Sequence, residues 1–175
     1  LAGRDLEAIA VGLREGVEED YLAYREGHTH YLAERLQSAG LHVYLPTGGH
    51  AVYVDAAQTL PHIPAEQFPG VALANSLYIE GGVRTVEIGS LMFSHTDPQS
   101  GEFVPAPNEL VRFAIPRRVY TRSHLDYVGE AAKAVVANAD GIRGLKITWA
   151  PELLRHFIAK LAWVEGWEPI ELDHF

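Results

Sequence analysis

The sequence contains no cysteine and no long apolar run, and both shortages exclude classes of protein. Without cysteine there is no disulfide framework, no thiolate zinc site and no cysteine nucleophile, which fits a reducing compartment. No stretch approaches the ~20 apolar residues of a membrane span. The first residues show neither a basic leader nor a signal-peptide core. We therefore expect a soluble, cytoplasmic protein with no membrane partner.

Positive charge is also scarce. Lysine and arginine number 14 against 23 aspartates and glutamates, so the net charge is -9. Nucleic acids and anionic surfaces attract clustered basic residues, so we expect no nucleic-acid partner. The hydrophobic share of 47% in 175 residues is ordinary for a globular protein and is enough for one domain with a real core.

Apolar residues at the N-terminal end recur at helical spacing from Leu6 to Leu36, with Asp5 placed to cap the start and Gly40 to stop the helix. The pattern predicts one helix of about 34 residues, roughly 50 Å long, which is more than the diameter of a small domain. We therefore expect residues 1–38 to bridge from another domain, residues 39–162 to form a domain of their own, and residues 163–175 to be a tail.

The rest of the sequence predicts short strands and helices in irregular order. Expected strands cover residues 41–45, 51–54, 83–88, 110–115 and 145–149, and expected helices cover residues 71–78, 123–138 and 152–162. A turn at 46–49 suits a hairpin, and residues 94–108 read as a loop. Because the order lacks regular strand-helix-strand alternation, it favours an α+β fold with helices on one face of a mostly antiparallel sheet.

Several familiar kinds of site find no support in the sequence. Of nine histidines, His28 and His30 are two apart on a helix and point to different faces, and the others lack a ligand spacing, so we expect no catalytic metal. The segment 48–50 lacks the lysine and the helix start of a phosphate loop and is better explained as a turn. No serine lies in a Gly-x-Ser-x-Gly elbow.

Two residues stand out from their surroundings. Arg112 lies in an apolar strand where a cation is unfavourable without an anion, so it forms either a structural salt bridge or a contact with a substrate carboxylate. His156 lies at the boundary of an apolar helix face, where histidine is more often a packing residue than a catalyst. Composition and spacing leave both alternatives open.

Five segments carry a family resemblance in the same order and with similar spacing. They are Ala2–Ala10, Gly48–Val52, Val83–Gly89, Glu109–Arg117 and Leu154–Lys160. Together they resemble the C-terminal part of the β-eliminating lyases, the family of tryptophanase and tyrosine phenol-lyase, over about residues 1–161. The resemblance implies that the chain is the small C-terminal domain of an aspartate-aminotransferase-like, fold type I pyridoxal-phosphate enzyme.

The resemblance also implies which parts of the site lie elsewhere. In the family, the Schiff-base lysine and the groups that hold pyridoxal 5'-phosphate precede the first of these segments, and most ligands of a potassium or other monovalent cation do so too. The lysines here, Lys133, Lys146 and Lys160, do not match the lysine motif. We therefore expect no cofactor-binding residue in this chain, a missing N-terminal large domain as its partner, and no activity of the fragment alone.

By the same resemblance, Arg112 holds the α-carboxylate of the substrate. Val86 and Ile88 form an apolar wall, where phenol-lyases have an arginine in place of Ile88. His156, with Phe157 beside it, lies near the indole, where phenol-lyases have an aromatic residue. From the residues alone, simple strand packing explains Val86 and Ile88 equally well.

The implied reaction is the cleavage of L-tryptophan to indole, pyruvate and ammonia by a homotetramer. His156 contributes to its rate without acting as the base that removes the α-proton. Tyrosine phenol-lyase or another β-eliminating amino-acid lyase is the alternative within the enzymes. A stand-alone, non-catalytic interaction domain is the alternative outside them.

Overall fold

A computed structural model describes residues 1–151 and 153–164, which form seven α-helices, two short 3-10 helices (Ala65–Gln67 and Ala139–Gly141) and seven strands. The helices are α1 Gly3–Glu15, α2 Glu19–Ser38, α3 Ala56–Thr59, α4 Pro69–Gly81, α5 Ser90–Phe93, α6 Arg122–Ala137 and α7 Arg155–Ile158. The strands are β1 Ala51–Asp55, β2 Val86–Ile88, β3 His95–Thr96, β4 Phe103–Val104, β5 Leu110–Ala114, β6 Leu145–Trp149 and β7 Lys160–Trp163. In this part of the chain, no helix has the length and apolar character needed to cross a membrane.

A three-stranded antiparallel sheet in the order β1-β5-β2 organises the fold. Residue 112 at its centre is opposite Tyr53 on β1 and Val86 on β2. Because side chains alternate along a strand, each strand presents one set to the core and the other set to the opposite face. The core face carries Val52, Val54, Val111 and Phe113, which are at most 3% exposed.

Helices α2 and α4 pack on the core face of this sheet, and α6 packs against both helices. The buried residues of α2 recur every three or four positions, which puts Thr29, Leu32, Ala33 and Leu36 on one stripe toward the sheet. The mixture of helices with antiparallel strands confirms the predicted α+β class, since all the strand pairs in the described residues are antiparallel.

The prediction of one long N-terminal helix is wrong, because the chain forms two helices separated at residues 16–18. Gly16 ends α1, and Glu18 has an extended backbone that starts α2. Glycine has poor helix propensity, and a continuous helix would stack Glu15 on Glu19. At the start of a new helix, the acids Glu19 and Asp20 interact favourably with the helix dipole instead. The predicted stop at the other end is confirmed, since α2 ends at Ser38, two residues before Gly40.

The predicted helix over residues 152–162 is also wrong. Among residues 153–162, only the single turn α7 is helical, and residues 160–163 form β7, which pairs antiparallel with β6. Leu161 and Trp163 face the core from this strand, so the tertiary pairing overrode an apolar spacing that also fits a helix. Residue 152, where the predicted helix begins, lies outside the described residues.

Smaller differences concern the loops and the tail. Residues 41–45 form an isolated bridge between Val43 and Val54 instead of a strand, and the loop 94–108 contains the small hairpin β3-β4. Trp163 of the predicted tail ends β7, whereas residues 165–175 lie outside the described part. The division into a bridging segment, a small domain and a tail stays a prediction.

Candidate functional site

The face of the β1-β5-β2 sheet opposite the core, here called the open face, carries three of the predicted site residues. Strand alternation places Arg112, Val86 and Ile88 on it together. Arg112 is directly opposite Val86, and Ile88 is opposite Leu110, one step along the same pair of strands. Val86 is 40% exposed and Ile88 is half-buried, so neither is needed to fill the core. The sheet therefore presents a cation beside an apolar wall.

Arg112 is half-buried, and its side chain has no hydrogen bond or ion pair with any residue that the structure describes. Its Nε atom is buried and has no partner. Leaving a buried donor unpaired costs about 1–3 kcal/mol, and more for a charged group. The salt-bridge explanation of Arg112 therefore finds no acid among residues 1–151 and 153–164, and the guanidinium is available to an external anion.

Asp55, on the same face of β1, is engaged elsewhere. Its carboxylate accepts hydrogen bonds from the backbone N–H of Ala57 at 2.9 Å and of Gln58 at 3.3 Å, and from the Gln58 amide at 2.8 Å. It thus caps the start of α3, as aspartate commonly does. Asp55 is the acid in these three strands that shares a face with Arg112. Its carboxylate is already occupied by hydrogen bonds at the start of α3.

Two glutamates lie on the core side of the same strands and bind the first turn of α5. The backbone N–H of Leu91 donates to the Glu87 carboxylate at 3.1 Å, and the N–H of Ser90 donates to Glu109 at 3.2 Å. The Ser90 hydroxyl also donates to Glu109 in a short contact. The two carboxylates thus accept hydrogen bonds from backbone N–H groups that have no partner within the helix at its start.

Burial is the main cause of the raised pKa of both carboxyl groups. Burial raises the pKa of Glu87 from its ordinary 4.5 to about 7, and the nearby Glu109 carboxylate adds to the rise, although the Leu91 N–H and the Arg155 charge oppose it. Burial likewise raises the pKa of Glu109, against hydrogen bonds from Ser90 that lower it. Glu87 therefore titrates near neutral pH.

Glycine at position 89 lets the two acids come this close. A Cβ added to Gly89 would lie 2.5 Å from Oε2 of Glu109 and 2.9 Å from Oε1 of Glu87, closer than a carbon and an oxygen can pack. Any larger residue there would push at least one carboxylate away from the N–H groups of α5.

Arg155 binds the opposite end of α5. Its guanidinium donates to the carbonyl oxygens of Leu91 at 2.8 Å, Ser90 at 2.9 Å and Ser94 at 2.7 Å, and to the Ser94 hydroxyl at 2.5 Å. A fork of donors suits this set of acceptors, and a cation is favourable beside the carbonyl groups at the C-terminal end of a helix. We call Glu87, Glu109 and Arg155 the α5 clamp, because they hold that helix at both ends.

The remaining predicted site residues, His156 and Phe157, follow Arg155 on α7. Their rings are in tilted contact, with centroids 4.1 Å apart. Phe157 is 73% exposed, and α7 contains no buried residue. The structure thus puts His156 and Phe157 on a lightly packed turn attached to α5, and puts Arg112, Val86 and Ile88 on the sheet.

Lysine and metal ligands do not gather at this site. The three lysines are exposed on α6, β6 and β7, away from the strands that carry Arg112. In the part of the chain that the structure describes, no cluster of three or more histidines and acids could hold a metal ion.

An apolar cavity of about 380 Å³ lies next to α2, α6 and the end of β5, and its lining contains none of the predicted site residues. Its lining includes Phe113, a core-face residue, together with Tyr120 and His124, and it does not include Arg112. The candidate site therefore depends on the open face and α7, and not on this cavity.

Sequence reasoning missed the α5 clamp, although a signal was present. Glu87 interrupts the β-branched run 83–88 in the same way that Arg112 interrupts its own apolar strand. The rule that a charge in an apolar strand needs a partner applies equally to both. For Glu109 and Arg155, we see no comparable signal, because their roles depend on contacts between distant segments.

Comparison with known proteins places this geometry in a family. The family model described as beta-eliminating lyase matches residues 8–131. A tryptophanase of Salinibacter ruber is 55% identical over 161 residues, 92% of this chain and 34% of the relative. Tryptophanases of Hyphomonas neptunium and Escherichia coli are 50% and 49% identical over similar shares. The chain thus spans about a third of the length of these curated relatives. The resemblance detected in the sequence is confirmed, and the chain belongs to the β-eliminating lyase family.

Proposed function

We propose that this chain supplies the amino-acid-binding side of a tryptophanase-type lyase, which cleaves L-tryptophan with water into indole, pyruvate and ammonia. The observation that carries the proposal is the Arg112 guanidinium, which is half-buried on an open sheet face with no partner among the described residues. Support also comes from the relatives, which carry the name tryptophanase and are 49% to 55% identical to this chain over about a third of their own length.

Arg112 would bind the α-carboxylate of the substrate. A guanidinium and a carboxylate can form two parallel hydrogen bonds, so the contact fixes orientation as well as position. Its place at the centre of the sheet, between β1 and β2, holds the strand that carries it on both sides. The rigid strand would then set the direction of the Cα–H bond, which is a positioning contribution to the rate.

The fold family implies pyridoxal 5'-phosphate, which would act as an electron sink for the electrons of the broken Cα–H bond. The residues described here fit the role of holding the amino acid beside that group. They do not fit the role of holding the group itself, because no lysine lies on the three strands of the open face. We place the cofactor-binding residues in a segment corresponding to the other two thirds of the relatives' length.

Val86 and Ile88 would form the wall against which the indole ring lies, since a flat apolar ring gains by contact with exposed aliphatic side chains. His156 and Phe157 would contact the ring from α7. We assign His156 to the orientation of the indole, and not to removal of the α-proton. A fold type I architecture, a homotetramer, a monovalent cation site and a cytoplasmic location belong to the same proposal.

The direct test replaces the matching third of the Salinibacter ruber tryptophanase with this chain and measures release of indole and pyruvate from L-tryptophan. We expect turnover, since the replaced segment is 55% identical. Phenol release from L-tyrosine, assayed in parallel, distinguishes the phenol-lyase alternative. A folded, cofactor-loaded chimera that releases neither product would contradict the proposal, and a preference for tyrosine would correct its substrate.

Arg112 is tested in the same chimera. Changing Arg112 to Ala should raise the KM for L-tryptophan about 100-fold, because a charged hydrogen-bonded contact is worth about 2–3 kcal/mol. Arg112→Lys should recover only part of the loss, since lysine lacks the bidentate geometry. The matched control is Arg117→Ala, an exposed arginine shortly after the same strand. Equal kinetics for the Arg112 and Arg117 variants would remove Arg112 from the site.

A further inference from the structure

The two halves of the candidate site are joined through α5. Val86 and Ile88 flank Glu87 on β2, and Glu109 immediately precedes the strand that carries Arg112. Both acids bind the first turn of α5. The other end of α5 is bound by the first residue of α7, the turn that carries His156 and Phe157. One short helix therefore connects the sheet with α7.

The apolar side chains of α7 contribute little to holding it. Leu154, Phe157 and Ile158 are 66%, 73% and 60% exposed, and Leu153, just before them, is 81% exposed. Burial of apolar surface is ordinarily what docks a helix, and a single turn has too few internal hydrogen bonds to persist alone. Against this exposure, the Arg155 side chain makes four hydrogen bonds to α5 and its C-terminal end.

We propose that Arg155 is a positioning residue, which acts through α5 to hold His156 and Phe157 at a fixed place relative to Arg112. This inference rests on the proposed function, because it concerns the same substrate. In this role Arg155 acts through α5 and not on the amino acid itself: its Nε and Nη2 atoms donate to Ser90, Leu91 and Ser94. The α5 clamp is thus the part of the fold that sets the spacing between the carboxylate-binding cation and the ring-contacting turn.

Three variants weaken the contact between Arg155 and α5 to different extents. Ser94→Ala removes one of the four acceptors and keeps the three carbonyl oxygens. Arg155→Lys keeps the charge and loses the fork, so that it can serve fewer carbonyl groups at once. Arg155→Ala removes the contact. The control is Arg143→Ala, because Arg143 is an exposed arginine that donates to a single nearby carbonyl.

The first measurement is amide hydrogen exchange in the 175-residue chain. We expect the Phe157 and Ala159 amides to exchange about 10- to 100-fold faster in Arg155→Lys, with a smaller effect in Ser94→Ala and none in Arg143→Ala. Amides of β1 and β5 should keep their protection. Unchanged exchange in α7 would overturn the proposal, as would equal acceleration in α7 and the sheet, which would make Arg155 a residue of general stability. If Arg155→Ala does not fold, hydrogen exchange in Arg155→Lys and Ser94→Ala still tests the role of Arg155.

The second measurement is turnover of L-tryptophan by the chimera. Arg155→Lys should lower kcat about 10- to 100-fold with less than about a 3-fold change in KM, because the carboxylate contact at Arg112 is intact. Adding His156→Ala to Arg155→Lys should lower kcat much less than His156→Ala lowers it in the parent, because the imidazole is already displaced. If the activation free energies lost in the two single variants add up in the double variant, the proposal is overturned. An inactive parent chimera would refute the proposed function, while hydrogen exchange still decides the role of Arg155.

Discussion

The buried carboxyl group of Glu87 makes the stability of this chain depend on pH near neutrality. In the folded chain its pKa is about 7, whereas an exposed glutamate has an ordinary value of 4.5. The folded state therefore binds more protons than the unfolded state between these two values. It follows from linkage that the free energy of unfolding decreases as the pH rises through this interval. The usual acid has the opposite behaviour, because ion pairs and hydrogen bonds lower its pKa on folding.

The size of the effect follows from the same two values. Since each pKa unit corresponds to about 1.4 kcal/mol, the full stabilising contribution of protonated Glu87 is about 3 kcal/mol, fully present below pH 4.5 and lost as the pH passes 7. Between pH 5 and pH 8 we expect a loss of about 2 kcal/mol. Replacing Glu87 with Gln gives a neutral side chain of the same shape, which still accepts from the Leu91 N–H but cannot ionise. The variant should therefore be about as stable as the parent at pH 5 and about 2 kcal/mol more stable at pH 8.

Urea unfolding of the 175-residue chain, followed by far-ultraviolet circular dichroism at pH 5, 6, 7 and 8, measures this difference. Glu34→Gln is the matched control, because Glu34 is exposed on α2 and its side chain has no ion pair among the described residues. A small pH dependence should persist in Glu87→Gln, since burial also raises the pKa of Glu109. Parallel pH profiles for the parent and Glu87→Gln would refute the reasoning, and so would a variant that is less stable at pH 8.

Three further outcomes follow from the structure. Gly89→Ala should lower the free energy of unfolding by about 2 kcal/mol or more in a urea titration, because its methyl group would displace Glu109; a change within error would show that the acids can move freely. Arg25→Ala should cost about 2–4 kcal/mol in the same titration, since the buried guanidinium donates to the carbonyl groups of Gly49 at 2.9 Å and Ile115 at 2.8 Å; a neutral result would show that water replaces it. Pyridoxal 5'-phosphate with borohydride should give no stoichiometric adduct at one lysine, because all three lysines are exposed; peptide mass spectrometry that finds a single, fully modified lysine would contradict the placement of the cofactor-binding residues in another segment.

The sequence by itself determined the α+β class, the family and the oddity of Arg112. Alternation along a strand is a local property, so the positions of Val86, Ile88 and Arg112 on a common face followed once their strands were paired in register. Apolar residues also located α4 and α6 to within a few residues, because each helix buries several apolar side chains in the core. The excess of acids over basic residues was visible from composition alone.

The break in the long N-terminal pattern has local causes that apolar spacing alone does not reveal, whereas only the tertiary structure decided what the last described segment becomes. Apolar spacing continues across Gly16, but the acids of the second helix favour a new N-terminus. Residues 160–163 fit a helix by spacing and become a strand because β6 offers them unpaired backbone groups and a core to face. The α5 clamp also depends on the tertiary structure, because Glu87, Glu109 and Arg155 are far apart in the chain. Their partnership exists because desolvated charges must find donors and acceptors wherever the fold brings them together.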